Sequence, residues 1–432
     1  MYSKDLPFIF LLTILYILDT SITQTNFYKT MAKITKIETL TNSEYAKIIW
    51  VKIHDESGEY GIGETSWGPE TVETHILTDI APTIMGENPL NIEKLWVDIC
   101  KLGITVRPNG AEVRALSAID IALWDLAGKL TNQPLYQMLG GLFREKIKIY
   151  NTCAGYSYGV NRPQAYRNIP GNVDYKPESQ YEDQQAFMTD AGKLAESLLG
   201  EGVTAMKIWP FDQFAGKTNG QFISSEDIDK GLEPFQKIRD AVGRKMDIMV
   251  ELHSMWNLPS AKRIAKALEP IEPLWNEDPI PMDNLDALAE YKRSTRIPVT
   301  ASETLALRWN FRELFEKRAV DICMFDISWV GGISEAKKIS TMAEAYQLPI
   351  APHDCVGPIT FLSSIHMSLN APNAMIQETV RAFNNTWYRD IIETMPKIES
   401  GFVYPPKGIG IGTIFTEKFM NCKDTIIKTV KS

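Results

Sequence analysis

Asp247-Ile248-Met249-Val250-Glu251-Leu252-His253 is the stretch from which the fold can be read. Ile248-Met249-Val250 is a short apolar run of the kind a buried strand shows. It ends in two polar residues, Glu251 and His253, spaced i, i+2. Strand side chains alternate faces, so this spacing predicts that the two point the same way. A carboxylate and an imidazole at the end of a buried strand need a partner, a metal or a substrate. One such strand alone could simply be ending at the surface, but the pattern recurs. Pro270–Pro279 carries Glu277, Ile297–Glu303 ends in Glu303, and Val320–Asp326 ends in Asp326. Leu348–His353 ends in His353, and Met375–Glu378 ends in Glu378. These ends lie about 25 residues apart, one strand–helix unit each. Units in series with short connections predict an α/β fold, a (β/α)7β-type TIM-like barrel whose strand carboxyl ends converge on one mouth.

Three carboxylates from consecutive strands, Glu251, Glu277 and Glu303, then form an all-oxygen cage suited to a hard divalent cation, with Mg2+ the expected ion, one per site. Asp326 and His353 end adjacent strands. A carboxylate beside an imidazole orients it and favours its protonated form, which suits His353 to act as a base that holds a proton. His253, on a different strand, could protonate a leaving hydroxyl. A cation held by the carboxylates would stabilise the dianion formed when a carboxylate's α-proton leaves. The sum of these parts is elimination of water.

The rest of the 432-residue chain frames this centre. A net charge of −9 without basic clusters argues against nucleic acid as a partner. Five scattered cysteines without CxxC spacing argue against a disulfide framework or a zinc knuckle. Residues 1–30 form a leader or a misread start. Pro7–Leu18 has the length of a signal-peptide apolar core and is too short to span a bilayer. Export through residues 1–23 is one reading; translation from Met31, giving a cytoplasmic protein, is the other. No membrane span is expected.

Residues 31–140 read as an α+β capping domain: strands at Ile34–Leu40, Ala46–His54 and Glu59–Glu64, then helices at Glu70–Met85, Ile92–Leu102 and Gly110–Leu130. The catalytic barrel is expected over residues 141–381. An insertion from Ala154 to about Gln180 follows its first strand and should sit at the mouth. Val203–Pro210 is the second strand, with Lys207 and Trp209 on one face. Residues 382–432 read as coil that packs back on the capping domain.

Trp275-Asn-Glu277-Asp278-Pro279, Ser302-Glu303, Asp326-Ile-Ser-Trp-Val-Gly331-Gly332, His353 and Glu378 resemble the enolase superfamily, mandelate racemase/muconate lactonizing subgroup. The helix Ala115–Lys129 is similar to that family's capping domain. Glu251-Leu-His253 resembles the third-strand motif of its acid-sugar dehydratases, of the galactonate and gluconate type. The resemblance implies Glu251, Glu277 and Glu303 as Mg2+ ligands, the Asp326–His353 pair as base, His253 as acid, and Glu378 as a hydrogen-bonding group for the substrate carboxylate or its enolate. It also implies a homo-oligomer. Racemases of the subgroup carry Lys-x-Lys on the second strand, whereas this chain has Lys207-Ile208-Trp209. An indole accepts no proton, so racemisation loses ground; Lys207 is expected to neutralise the substrate carboxylate and Trp209 to pack in the barrel or wall the pocket. Arg308, Arg381 and Trp387 are candidate substrate contacts, with the loops Thr41–Tyr45 and Thr65–Thr71. The expected activity is dehydration of an aldonate or aldarate to a 2-keto-3-deoxy acid. An epimerase or cycloisomerase on the same scaffold, and a metal-dependent binding protein, are the alternatives.

Overall fold

The computed structural model describes residues 32–102, 110–158 and 181–432. The possible leader and most of the insertion after Ala154 lie outside these residues. The strands are β1 (Ile34–Asn42), β2 (Ile48–Asp55), β3 (Tyr60–Ser66), β4 (Ile147–Thr152), β5 (Ala205–Ile208), β6 (Asp247–Glu251), β7 (Trp275–Glu277), β8 (Val299–Ala301), β9 (Ile322–Cys323), β10 (Gln377–Thr379), β11 (Ile398–Glu399), β12 (Phe402–Val403) and β13 (Thr425–Lys431).

β4 to β9 pair in sequence as a parallel sheet, and β10 pairs β4 in parallel, closing the ring. Between β9 and β10 the ring is carried by single parallel bridges, Cys323 to Ile350 and Ile350 to Ala374. Pro349 and Pro352 flank Ile350 and lack the N–H a longer ladder needs. Helices alternate with these strands, from Asp183–Gly200 to Pro358–Asn370. Tyr150, Ala205, Met249, Trp275, Met324, Ala351 and Ile376 fill the barrel lumen as one buried apolar cluster. Two residues further along the same strands stand Thr152, Lys207, Glu251, Glu277, Asp326, His353 and Glu378. Side-chain alternation therefore turns an apolar plug into a polar layer one step nearer the mouth.

The capping layer is a four-stranded antiparallel sheet, β13-β1-β2-β3, against the helix Ala111–Thr131. Gly63 makes that packing possible: a Cβ there would lie 1.9 Å from the Ala118 carbonyl oxygen. The first capping helix departs from the sequence expectation. It is broken into Pro69–His75, a π-turn Ile76–Ile80 and Ala81–Ile84, because Pro82 supplies no N–H to a continuous α-ladder. The tail also differs. In place of coil it supplies short helices, the hairpin β11–β12 beside β4, and β13, which pairs β1 from Lys36–Lys431 to Asn42–Thr425. Among the described residues no helix is long and apolar enough to cross a membrane.

Buried polar groups tie the layers together. Glu64 on β3 accepts from Trp50 Nε1 at 2.7 Å and from the Thr360 N–H and hydroxyl at the start of the barrel helix Pro358–Asn370. His366 on that helix accepts the Tyr136 N–H at Nδ1 (3.1 Å) and meets the Ile411 carbonyl of the tail through Nε2 (3.3 Å). This pattern fixes a neutral tautomer with the proton on Nε2. Burial pushes the His366 pKa down to about 4. The folded value lies below that of an unfolded histidine, so its contribution to stability is full above about pH 6.5 and is lost as pH falls toward 4. We expect urea unfolding to show the stability gap between wild type and His366→Gln shrinking by about 3 kcal/mol between pH 7 and pH 4. A gap independent of pH would show that His366 does not carry this linkage.

Candidate active site

The polar layer at the barrel mouth brings together most of the residues singled out in the sequence. One ligand oxygen from each of Glu251, Glu277 and Glu303 lies within 4.8 Å of the others. Glu251 and Glu277 end β6 and β7 and are buried; Glu303 follows β8 and is half-buried. Lys207 Nζ, from β5, lies 2.5 Å from Glu277, 3.1 Å from Glu378 and 3.4 Å from Glu251. One ammonium thus faces three buried carboxylates. Burial and the neighbouring Glu251 charge hold the Glu277 carboxyl well above the usual carboxylate range. Burial acts against the Lys207 ammonium, but the surrounding carboxylates outweigh it and keep its pKa well above the ordinary value. The excess negative charge and the all-oxygen donor set fit a hard divalent cation.

Glu251 is oriented by the chain just beyond it. The strand ends at Glu251, and His253 (φ 47°) and Ser254 (φ 55°) turn left-handed. Strand alternation is therefore not what aims His253. The turn instead directs the Leu252 and His253 N–H groups onto Glu251 Oε1 at 3.0 and 2.7 Å and swings the imidazole into the pocket. There His253 Nδ1 meets Asp212 Oδ2 at 2.6 Å, and Nε2 lies 3.2 Å from the Tyr158 hydroxyl. Burial opposes the imidazolium, but the Asp212 and Glu251 charges prevail and raise its pKa to about 9. At neutral pH the His253 imidazole therefore carries a proton on both nitrogens.

His353 Nδ1 lies 2.8 Å from Asp326 Oδ2, and Nε2 lies 2.8 Å from Glu303 Oε2. Asp326 Oδ1 is fixed by the Ser328 N–H and hydroxyl at 2.7 and 2.6 Å. Burial would lower the His353 pKa; the Glu303 and Glu378 charges and the Asp326 hydrogen bond raise it well above the ordinary value. Glu378 accepts from the Asp354 N–H at 2.7 Å and from the Thr152 hydroxyl.

Three of the proposed contacts stand elsewhere. Arg308 donates from Nε to both Glu335 oxygens at 2.9 Å and packs over Trp96, away from the mouth. Arg381 is buried as a clamp on Asp183 (2.7 Å), Glu201 and Ser197. Trp387 is fully buried and stacks on Tyr45 at 5.3 Å. Trp209 does line the pocket, edge-on to the His253 ring at 5.7 Å. Sequence reasoning missed Asp212, Thr152 and Lys47 at or behind the pocket wall, whereas Trp67, Tyr158 and Trp329 fall within the Thr65–Thr71 loop, the insertion and the Asp326–Gly332 motif that it named. Thr152 had a readable signal, since it ends β4 in register with the other strand-end polar residues. Trp329 belongs to the Asp326–Gly332 motif and lies over the His353 ring at 5.4 Å.

Residues 190–419 match the family described as enolase C-terminal domain-like, and residues 23–140 match the mandelate racemase/muconate lactonizing enzyme N-terminal domain. A D-xylonate dehydratase of Haloferax volcanii is 29% identical over 88% of this chain and 86% of its own length. A D-galactonate dehydratase of Ralstonia pickettii is 28% identical over 85% and 89%. A solved enolase of the mandelate racemase subgroup from Agrobacterium tumefaciens is 46% identical, with a TM-score of 0.81 over 93% of this chain and 99% of that one. With its capping sheet, its barrel and both family matches, the chain belongs to the enolase superfamily, in the mandelate racemase/muconate lactonizing subgroup.

Proposed function

We propose that the protein is a Mg2+-dependent hydro-lyase that converts a sugar acid, an aldonate or aldarate, to its 2-keto-3-deoxy acid. The observation that carries this reading is the presence of two histidines at the ends of different strand–helix units, each paired with its own aspartate, on one pocket beside the carboxylate trio. The dehydratases among its relatives support the reaction class.

Glu251, Glu277 and Glu303 would hold the cation. When bound, Mg2+ supplies positive charge against the dianion that forms as the α-proton leaves. Lys207 neutralises and orients the substrate carboxylate, and Glu378 in its protonated form donates a hydrogen bond to that carboxylate or to its enolate. His353 takes the α-proton on Nε2, with Asp326 holding the other nitrogen. Glu303, as a ligand that would hold the cation, would no longer stabilise a proton on Nε2, which would leave Nε2 able to accept. His253 gives its Nε2 proton to the β-hydroxyl, which departs as water. The enol left behind takes up a proton to become the ketone, so the atoms balance as loss of one water.

The test is incubation with Mg2+ and a panel of sugar acids in D2O, read for 2-keto acid and for deuterium at the α-carbon. A keto acid from an open-chain acid is expected. Stripping divalent cations with a chelator should abolish it, and Mg2+ should restore it. Deuterium exchange or a new isomer without keto acid would overturn dehydration in favour of an isomerase.

A further inference from the structure

Asp278 follows Glu277 at the end of β7 and is 2% exposed. It touches the neighbours of all three cage carboxylates. The chain joins it to Glu277. Its carbonyl accepts the Ser254 N–H at 2.7 Å, in the turn that aims Glu251. Its Oδ2 accepts from the hydroxyl of Ser302, the residue before Glu303, at 2.8 Å. The second carboxyl oxygen, Oδ1, is buried and has no hydrogen-bond partner among the described residues. A carboxyl oxygen withdrawn from water without a partner is costly and calls for a donor. The Glu251 and Glu303 charges both act on this carboxyl, so it lies within the field of the cage.

Asp278 is not a fourth ligand. Among the described residues only Glu251, Glu277 and Glu303 bring ligand oxygens within 4.8 Å of one another. A cation of the Mg2+ type demands near-octahedral oxygen coordination and gives up its waters reluctantly, so three carboxylates leave places for water beside the substrate. Water held by a dication is polarised into a strong donor, and a buried carboxylate oxygen is the acceptor that matches it. Resting on the reading of the trio as a Mg2+ cage, we propose that Asp278 Oδ1 anchors a cation-bound water. Asp278 is on this account a positioning residue for the metal. Oδ2 keeps the strand end of Glu303 in place, and Oδ1 holds the water of the ion.

The experiment is calorimetric titration of Mg2+ into the cation-stripped protein, wild type beside Asp278→Asn and Ser302→Ala, together with a crystal structure of the wild-type Mg2+ complex. Asparagine keeps the shape of the side chain and one oxygen for the Ser302 hydroxyl, and replaces the other acceptor with an NH2 group. Asp278→Asn should lower Mg2+ affinity about 10- to 100-fold. Ser302→Ala removes only the positioning contact and should cost far less. In the crystal, one water should join Oδ1 to the ion. Wild type that binds no Mg2+ sinks the cage reading, and this inference with it. If wild type binds Mg2+ and Asp278→Asn binds it equally well, the inference alone is overturned. An equal loss in Ser302→Ala also overturns it, because Asp278 would then do no more than hold the strand end of Glu303. A Mg2+ complex in which Oδ1 bonds no ion-held water refutes it without any variant, so a misfolded Asp278→Asn does not shelter it.

Discussion

His353→Asn is expected to lower turnover about 10^4-fold and to abolish deuterium exchange at the α-carbon with it. Both losses follow from one atom. Nε2 is the face of the imidazole turned toward the carboxylate trio, 2.8 Å from Glu303, while Nδ1 is committed to Asp326. Asparagine can fill the space and donate a hydrogen bond, but it cannot take a proton at neutral pH. Mg2+ affinity should survive and even tighten. The imidazolium competes with any cation for Glu303, and the variant removes that competing charge. Calorimetric titration of Mg2+ checks this half of the expectation. Loss of metal binding in the variant would mean that His353 supports the carboxylate cluster, and turnover that persisted would place the base elsewhere.

The centre could be read from the chain because the barrel repeats one rule. Wherever a strand was long enough to show its lumen residue, the polar residue two positions later was the one that mattered, as with Met249 and Glu251 or Trp275 and Glu277. The same rule failed at His253, where a left-handed turn replaces the strand. Arg308 and Arg381 misled because a sequence shows a cation near a strand end without showing its partner. Their carboxylates, Glu335 and Asp183, come from distant helices or helix starts that only the fold brings up. Lys47 was invisible for the opposite reason. It sits in the capping layer, 111 residues from the Tyr158 carbonyl it holds, and no barrel periodicity points to it. In the tail, β13 has mostly exposed side chains, so no apolar face marked it; its backbone pairing with β1 is what makes it a strand.

His253→Asn should separate the two halves of the reaction that His353→Asn removes together. Keto-acid formation is expected to fall about 10^3-fold, while α-proton exchange with D2O continues. The geometry argues for this division. His253 belongs to its own dyad with Asp212 at 2.6 Å and to Tyr158 and Trp209, whereas the Asp326–His353 pair is held by Ser328 and overlain by Trp329. The two dyads share no described hydrogen-bond partner, so removing one imidazole leaves the other aimed. Glu251 should also stay in place, because its contacts to this turn come from the backbone N–H groups of Leu252 and His253, which asparagine retains. Exchange measured by the loss of the α-proton resonance, beside keto acid measured on the same sample, gives the ratio directly. Exchange lost in step with dehydration would mean that the His253 imidazolium is already needed when the α-proton leaves, as a fixed charge beside the forming dianion. Exchange that persists would mean that the barrel commits the substrate at His353, and that the fate of the intermediate is set at His253.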